Sequence, residues 1–280
     1  MPALAAAAAA ADGSENAAVG FILFDPDSGR TVEARRVDTP FIPASVAKLP
    51  TVAAALALLG PDHRFTTRLL AAGLPETGVL RGDLILQGGG DPALATEGLL
   101  QLLGGLAAAG LRRVEGRFLY DTALLPELAE IDAGQPWAAP YNTGVGALSL
   151  NYNRALLSWR RGGTGPEVLT VADAGRLPLD SVTVRPMAAG GGFPLLPDGA
   201  DRWLMAPAAG ASGEAASAWV PVARPGLAAA TLFRRLAGDA GILLPVPEAG
   251  RVPAGATTAL AALDSPALSD LARGLLRHSN

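Results

Sequence analysis

Ser45 and Lys48 stand three residues apart in Phe41-Ile42-Pro43-Ala44-Ser45-Val46-Ala47-Lys48-Leu49-Pro50, at the mouth of an alanine- and leucine-rich run that ends at Gly60. A serine hydroxyl is a weak nucleophile until a neighbouring base takes its proton. A lysine can be that base only when neutral, a form that burial and nearby positive groups favour. Spacing of three on a helix brings both side chains to one face. The helix N-terminus also aims backbone N–H groups at any anion that forms there. The alternative is a capping serine followed by a surface lysine, and a bare Ser-x-x-Lys does not choose between them. Val46, Ala47, Leu49 and the alanines beyond Pro50 are apolar nearly all round, which predicts a buried helix and favours the chemical reading.

Other chemistries have little to work with. Cysteine is absent from the 280 residues, which removes disulfides, thiolate metal sites and cysteine catalysis. Only two histidines occur, His63 and His278, too few for a histidine-rich metal site. Asp and Glu are scattered without metal-loop spacing. Net charge is −4 and the isoelectric point is near 5.3. That balance gives no electrostatic reason to expect nucleic acid or an anionic membrane. No run of about 18 apolar residues escapes Gly, Pro or charge, so no transmembrane helix is expected. The opening Met1-Pro2 and its alanine run lack a preceding Lys or Arg, which makes a poor signal peptide and reads as a short helix. Half the residues are apolar, enough for a sizeable core.

The pair must be held by the elements around it. Residues 19–36 read as a β-hairpin turning at Asp25-Pro26-Asp27-Ser28-Gly29. A helix should run from Ser45 to Leu59 and stop at Gly60-Pro61. Pro50 lacks an N–H for the Val46 carbonyl, so the first turn should fray or kink. From Phe65 onward strands dominate, and residues 79–125 form a β-α-β unit whose helix begins with Thr96 as N-cap. Residues 136–225 read as an all-β or irregular subdomain, with Leu148, Leu150 and Tyr152 alternating as in a strand. Two more helices follow, near 226–242 and 265–280. Gln87-Gly88-Gly89-Gly90-Asp91-Pro92 reads as a turn leading to a helix, since it lacks the spacing of a phosphate loop.

The succession of Thr39–Leu69, Gly78–Leu94, Gly110–Leu125 and Pro140–Asn153 resembles the class C low-molecular-mass penicillin-binding proteins over nearly the whole chain. These are D-alanyl-D-alanine carboxypeptidase/endopeptidases of the penicillin-recognising superfamily. The resemblance implies an α/β (α+β) transpeptidase domain of the β-lactamase-like type, carrying a large α/β-plus-β insert. Residues 1–66 and 262–280 would belong to the catalytic domain, and 67–261 to the insert, itself two nested subdomains. It implies Ser45 as nucleophile and Lys48 as general base, with no cofactor and no metal. The substrate would be a peptidoglycan stem peptide or crosslink, with β-lactams as covalent inhibitors, and the location periplasmic or otherwise extracytoplasmic.

The family completes its site with a second motif, Ser-x-Asn, and a third, Lys-Thr-Gly. Ser279 matches the serine of the second, with Asn280 in the middle position. Ser149-Leu150-Asn151 and Asn142-Thr143-Gly144 imitate the two motifs but read as strand and turn. No Lys-Thr-Gly, Lys-Ser-Gly or His-Thr-Gly occurs. The chain is therefore expected to be inactive alone, with an incomplete catalytic domain that folds less well than its insert; an active purified 280-residue chain would overturn this. Two other readings stay open: a serine β-lactamase or esterase on the same scaffold, and a non-catalytic wall-binding scaffold.

Overall fold

The computed structural model describes residues 19–136, 138–162, 165–171, 177–187, 195–205, 215–255 and 257–279. The expected helix in the N-terminal alanine run, and Asn280, lie outside them. By internal packing the chain separates into two compact units, one drawn from residues up to Leu58 and from Gly274 onward, the other from Leu59–Arg273.

The smaller unit opens with a turn that Asp25 organises, its carboxylate accepting from the Asp27 N–H at 3.0 Å and the Ser28 hydroxyl at 2.6 Å. Across it β1 (Phe21–Phe24) pairs antiparallel with β2 (Thr31–Arg35). A 3-10 turn over Ala44–Ala47 leads directly into α1 (Lys48–Leu59). Pro50 explains that entry: it cannot bond the Val46 carbonyl, and the chain tightens instead of starting as an α-helix. The expectation of a buried helix does not hold. Only Val52 of α1 is buried, while Val46, Leu49 and Leu58 are 63%, 55% and 83% exposed. Among the described residues the unit's only sheet is the β1–β2 ladder, too small to cover a 12-residue helix.

In the larger unit the strands β3 (Thr66–Ala71), β4 (Val79–Leu80) and β5 (Leu84–Gln87) precede α2 (Thr96–Ala108). β6 (Arg113–Val114) and β7 (Phe118–Asp121) follow. β5 and β7 pair in parallel, so β5-α2-β7 is the expected β-α-β unit. The middle region holds β8 (Arg154–Gly162), β9 (Gly165–Val171), β10 (Thr183–Pro186), β11 (Leu195–Pro197), β12 (Arg202–Met205) and β13 (Ala215–Pro221). They form two small sheets, ordered β13-β8-β9 and β10-β12-β11. The chain then adds α3 (Pro225–Asp239), β14 (Pro247–Ala249), β15 (Thr258–Asp264) and α4 (Leu268–His278).

The main sheet has the order β14-β7-β5-β3-β15, with β14, β7 and β5 parallel and β3 and β15 antiparallel. α2 lies against β15, and α3 against β7 and β14. Phe118 and Phe233 meet in the core with ring centroids 5.9 Å apart. Gly105 lets α2 come close: a Cβ there would sit 2.4 Å from that of Ala261. Beyond Gln87, the last residue of β5, the glycine segment is irregular and reaches a turn at Pro92 before α2, as the sequence led one to expect of a connection into a helix. Its buried Asp91 accepts the Ala93 N–H, and burial pushes that carboxyl above the usual range.

Two local expectations fail for one reason. Thr96 is not the N-cap of α2; Ala95 is, and it offers no side-chain acceptor. The cap comes from Asn151, whose Oδ1 accepts the Thr96 N–H at 3.1 Å and whose Nδ2 donates to Thr96 Oγ1 at 2.8 Å. Nor are residues 148–153 a strand. Asn151, Tyr152 and Asn153 have φ of +50°, +56° and +52°, a left-handed turn before β8. Asn153 locks it by accepting the Leu150 N–H and donating to Gly144 O and Ser149 Oγ. Because the Thr96 N–H is buried, Asn151→Ala should destabilise the protein by about 1–2 kcal/mol. Urea unfolding of the two proteins measures this; an unchanged midpoint would show that the distant cap is dispensable.

Candidate active site

The chain enters the larger unit beside the place where it leaves. The Leu268 N–H donates to His63 O and the Ser269 N–H to Pro61 O. Arg64 donates to Ser265 O, and the Phe65 N–H to Ser265 Oγ. Segments 61–65 and 265–269 are thereby laced together.

Within the smaller unit three side chains from the two ends of the sequence converge. Ser45 lies in the 3-10 turn and Lys48 is the first residue of α1. At three residues per turn, positions i and i+3 eclipse. Lys48 Nζ accordingly reaches Ser45 Oγ at 3.1 Å. The turn is entered through Ala44, which takes φ of +46°. Just past it, Thr51 Oγ1 donates to Ala47 O at 3.0 Å, serving a carbonyl next to the irregular stretch at Pro50.

Ser279 arrives from the other end. It follows α4 in the left-handed conformation, φ +56°, and its N–H donates to Leu275 O. Its hydroxyl accepts from Lys48 Nζ at 3.1 Å and donates to Ser45 Oγ at 3.0 Å, although 234 residues separate the two serines. The three polar atoms close a triangle with sides of 3.1, 3.1 and 3.0 Å. Both serines are exposed and Lys48 is half-buried, so a ligand in solution has access to the oxygens. Such a group can pass a proton from one hydroxyl to the amine, with a second hydroxyl in contact with both.

Lys48 has one more distinction. It is the sole lysine in the chain, whose other basic residues are 21 arginines of the 22 Lys and Arg together. That count was legible in the sequence and singles out the position before any motif is invoked.

The remaining candidates lie elsewhere. Ser149 donates to Gly146 O, and Asn151 caps α2. Asn142 is buried; it accepts the Ile131 and Asp132 N–H groups and donates to Asp132 O. Both imitations of the family motifs are thus consumed in turns of the larger unit. His63 sets its ring edge-on against Phe65, centroids 4.9 Å apart. His278 is exposed in the last turn of α4. Among the described residues no three His, Cys, Asp or Glu gather as metal ligands, and no helix is long and apolar enough to cross a membrane.

Residues 3–280 match the profile of the D-Ala-D-Ala carboxypeptidase 3 (S13) family. The chain belongs to that family. It is 35% identical over 127 residues to a D-alanyl-D-alanine carboxypeptidase of Actinomadura sp. (strain R39), covering 45% of this chain and 24% of the relative. It is 31% identical over 123 residues to D-alanyl-D-alanine carboxypeptidase DacB of Haemophilus influenzae, covering 44% of this chain and 25% of the relative. The matches thus span about a quarter of these two relatives' length. The crystal structure of penicillin-binding protein 4 (dacB) from Haemophilus influenzae superposes with a TM-score of 0.74 at 22% identity, over 91% of this chain and 58% of that one. The same protein complexed with a β-lactam gives 0.69 at 20% identity, over 93% and 57%. The S13 chain therefore has the penicillin-binding-protein fold that its sequence resembles.

Proposed function

We propose that the protein is a serine D-Ala-D-Ala carboxypeptidase/endopeptidase acting on peptidoglycan stem peptides, with Ser45 as nucleophile, Lys48 as general base and Ser279 as second-motif serine. The observation that carries this reading is the closed triangle of Ser45 Oγ, Lys48 Nζ and Ser279 Oγ. Family membership supplies the substrate class. An acyl-transfer domain would be built from both ends of the chain, the long middle being inserted, and the protein would work outside the cytoplasmic membrane.

The chemistry follows from the positions. Ser45 Oγ attacks the carbonyl carbon of the penultimate D-alanine while its proton passes to Lys48 Nζ, acting as general base. Backbone N–H groups at the start of the helix, that of Ser45 among them, hold the developing oxyanion. The C–N bond breaks, and the proton returns through the Lys48–Ser279 contact to the departing amine of the terminal residue. Water then cleaves the Ser45 ester and frees the shortened peptide. A β-lactam follows the first half of this path: Ser45 opens the ring amide, and the amine stays tethered to the acyl group.

The test is covalent labelling. The native full-length protein treated with a fluorescent penicillin should gain one adduct, mapped by peptide mass to the segment holding Ser45, and Ser45→Ala should gain none. Labelling that persists in Ser45→Ala would overturn the assignment. Absence of any adduct would favour a wall-binding scaffold, and rapid loss of the adduct a β-lactamase.

A further inference from the structure

The left-handed turn before β8 both caps α2 and sets an aromatic side chain outward. Left-handed backbone is unfavourable for an L-residue and is tolerated best by Gly, Asn and Asp. Asn151 and Asn153 suit it; Tyr152, at φ +56°, does not. The two asparagines are fixed from below by Thr96, Leu150, Gly144 and Ser149. Tyr152 between them is held outward, 54% exposed. An observed backbone outlier of this kind points to function.

What the turn presents is a platform. In β8 the side chains of Ala155, Leu157 and Trp159 are buried, so Arg154 and Leu156 belong to the opposite face. Trp219 of β13 pairs with Leu156 and is 41% exposed on that same face. The Arg154 guanidinium carbon lies 5.6 Å from the Tyr152 ring centroid and 5.6 Å from that of Trp219. The cation thus sits against two exposed aromatic rings. Among the described residues it has no carboxylate partner and donates no hydrogen bond, which leaves its five N–H donors available.

We propose that this face of the β13-β8-β9 sheet binds a neutral glycan chain of N-acetylated hexosamines. Pyranose rings offer apolar C–H faces that stack on the indole and phenol. Their hydroxyl and acetamido oxygens accept from Arg154 without needing a charge. One cation on a chain of net charge −4 is a poor match for an anionic polymer. The choice of glycan rests on the peptidoglycan reading above, because the stem peptides of that substrate are carried on such strands. The platform would hold the polymer while acyl transfer proceeds elsewhere.

Binding of neutral N-acetylglucosamine oligomers to the native full-length protein should be measured by calorimetry, beside Trp219→Ala and Tyr152→Asn. Asparagine preserves the left-handed turn, so the second variant removes the ring and keeps the fold. Each should weaken binding by about tenfold or more, the loss of one stacked ring, with unchanged thermal midpoints and unchanged penicillin labelling of Ser45. Undiminished binding in both variants, or binding of the stem peptide but not the glycan, would overturn the platform. Binding lost with labelling intact speaks to the platform alone. Labelling lost with glycan binding intact speaks to the acyl-transfer reading alone.

Discussion

Replacing Lys48 by alanine is expected to slow acylation of Ser45 by labelled penicillin by about 10²–10⁴-fold, the usual contribution of a positioned general base. The Ser45 hydroxyl would keep Ser279 as its neighbour at 3.0 Å, but a second hydroxyl cannot hold the proton at neutral pH. Lys48→Arg separates charge from base. Arginine retains a cation near both oxygens, yet it does not give up its proton in proteins, so it should be nearly as slow as alanine. Rapid-mixing measurements of adduct formation on the native full-length protein distinguish the two. An arginine variant close to the parent rate would mean that Lys48 acts as an electrostatic anchor, and the general-base role would be lost. Ser279→Ala should fall between parent and Lys48→Ala, because it removes a proton relay and leaves the base in place.

The second large effect concerns stability. Gly89→Ala should destabilise the protein by about 3 kcal/mol or more, at the upper end of overpacking effects. A Cβ at Gly89 would lie 1.9 Å from the carbonyl oxygen of Thr66 and 2.5 Å from its carbonyl carbon. The obstacle is backbone, and that backbone is held. Thr66 opens β3, pairs with Asp264 of β15, and also bonds the Asp264 carboxylate through its hydroxyl at 2.7 Å. The neighbouring Gly88 is pressed in the same way against Ala147 O, at 2.4 Å for a built Cβ. Gly88 and Gly89 each have a neighbouring backbone at contact distance, and Gly90 takes φ of +81°. Thermal and urea unfolding would show the loss, whereas an unchanged midpoint would mean that β3 can shift.

Sequence reading recovered what depends on neighbours along the chain. The hairpin at Asp25–Gly29, the β-α-β unit around α2 and the stop of α1 at Gly60 follow from local turn chemistry and periodicity. The Ser45–Lys48 contact follows from a spacing of three. What failed depended on residues far away. Thr96 resembles an N-cap, yet its partner is Asn151, 55 residues distant. Residues 148–153 alternate like a strand, but the side-chain bonds of Asn153 hold them in a left-handed turn. β15 was not anticipated because Thr-Ala-Leu-Ala-Ala-Leu-Asp has weak strand propensity; pairing with β3 and contact with α2 decide it. The apolar character of α1 suggested burial, and burial is a property of what surrounds a helix. Ser279 was matched from family resemblance alone, since nothing local ties a C-terminal serine to a residue near the N-terminus.

The sole lysine has a practical consequence. A lysine-specific endoproteinase has one peptide bond to cut in this chain, Lys48–Leu49, in the first turn of α1. Proteases need an extended stretch, so that helix start must open before it is cleaved. When opening and reclosing are fast, the cutting rate reports the opening free energy of that single turn. The candidate site therefore carries its own gauge of rigidity, and a ligand that ties the turn shut will register as a slower cut.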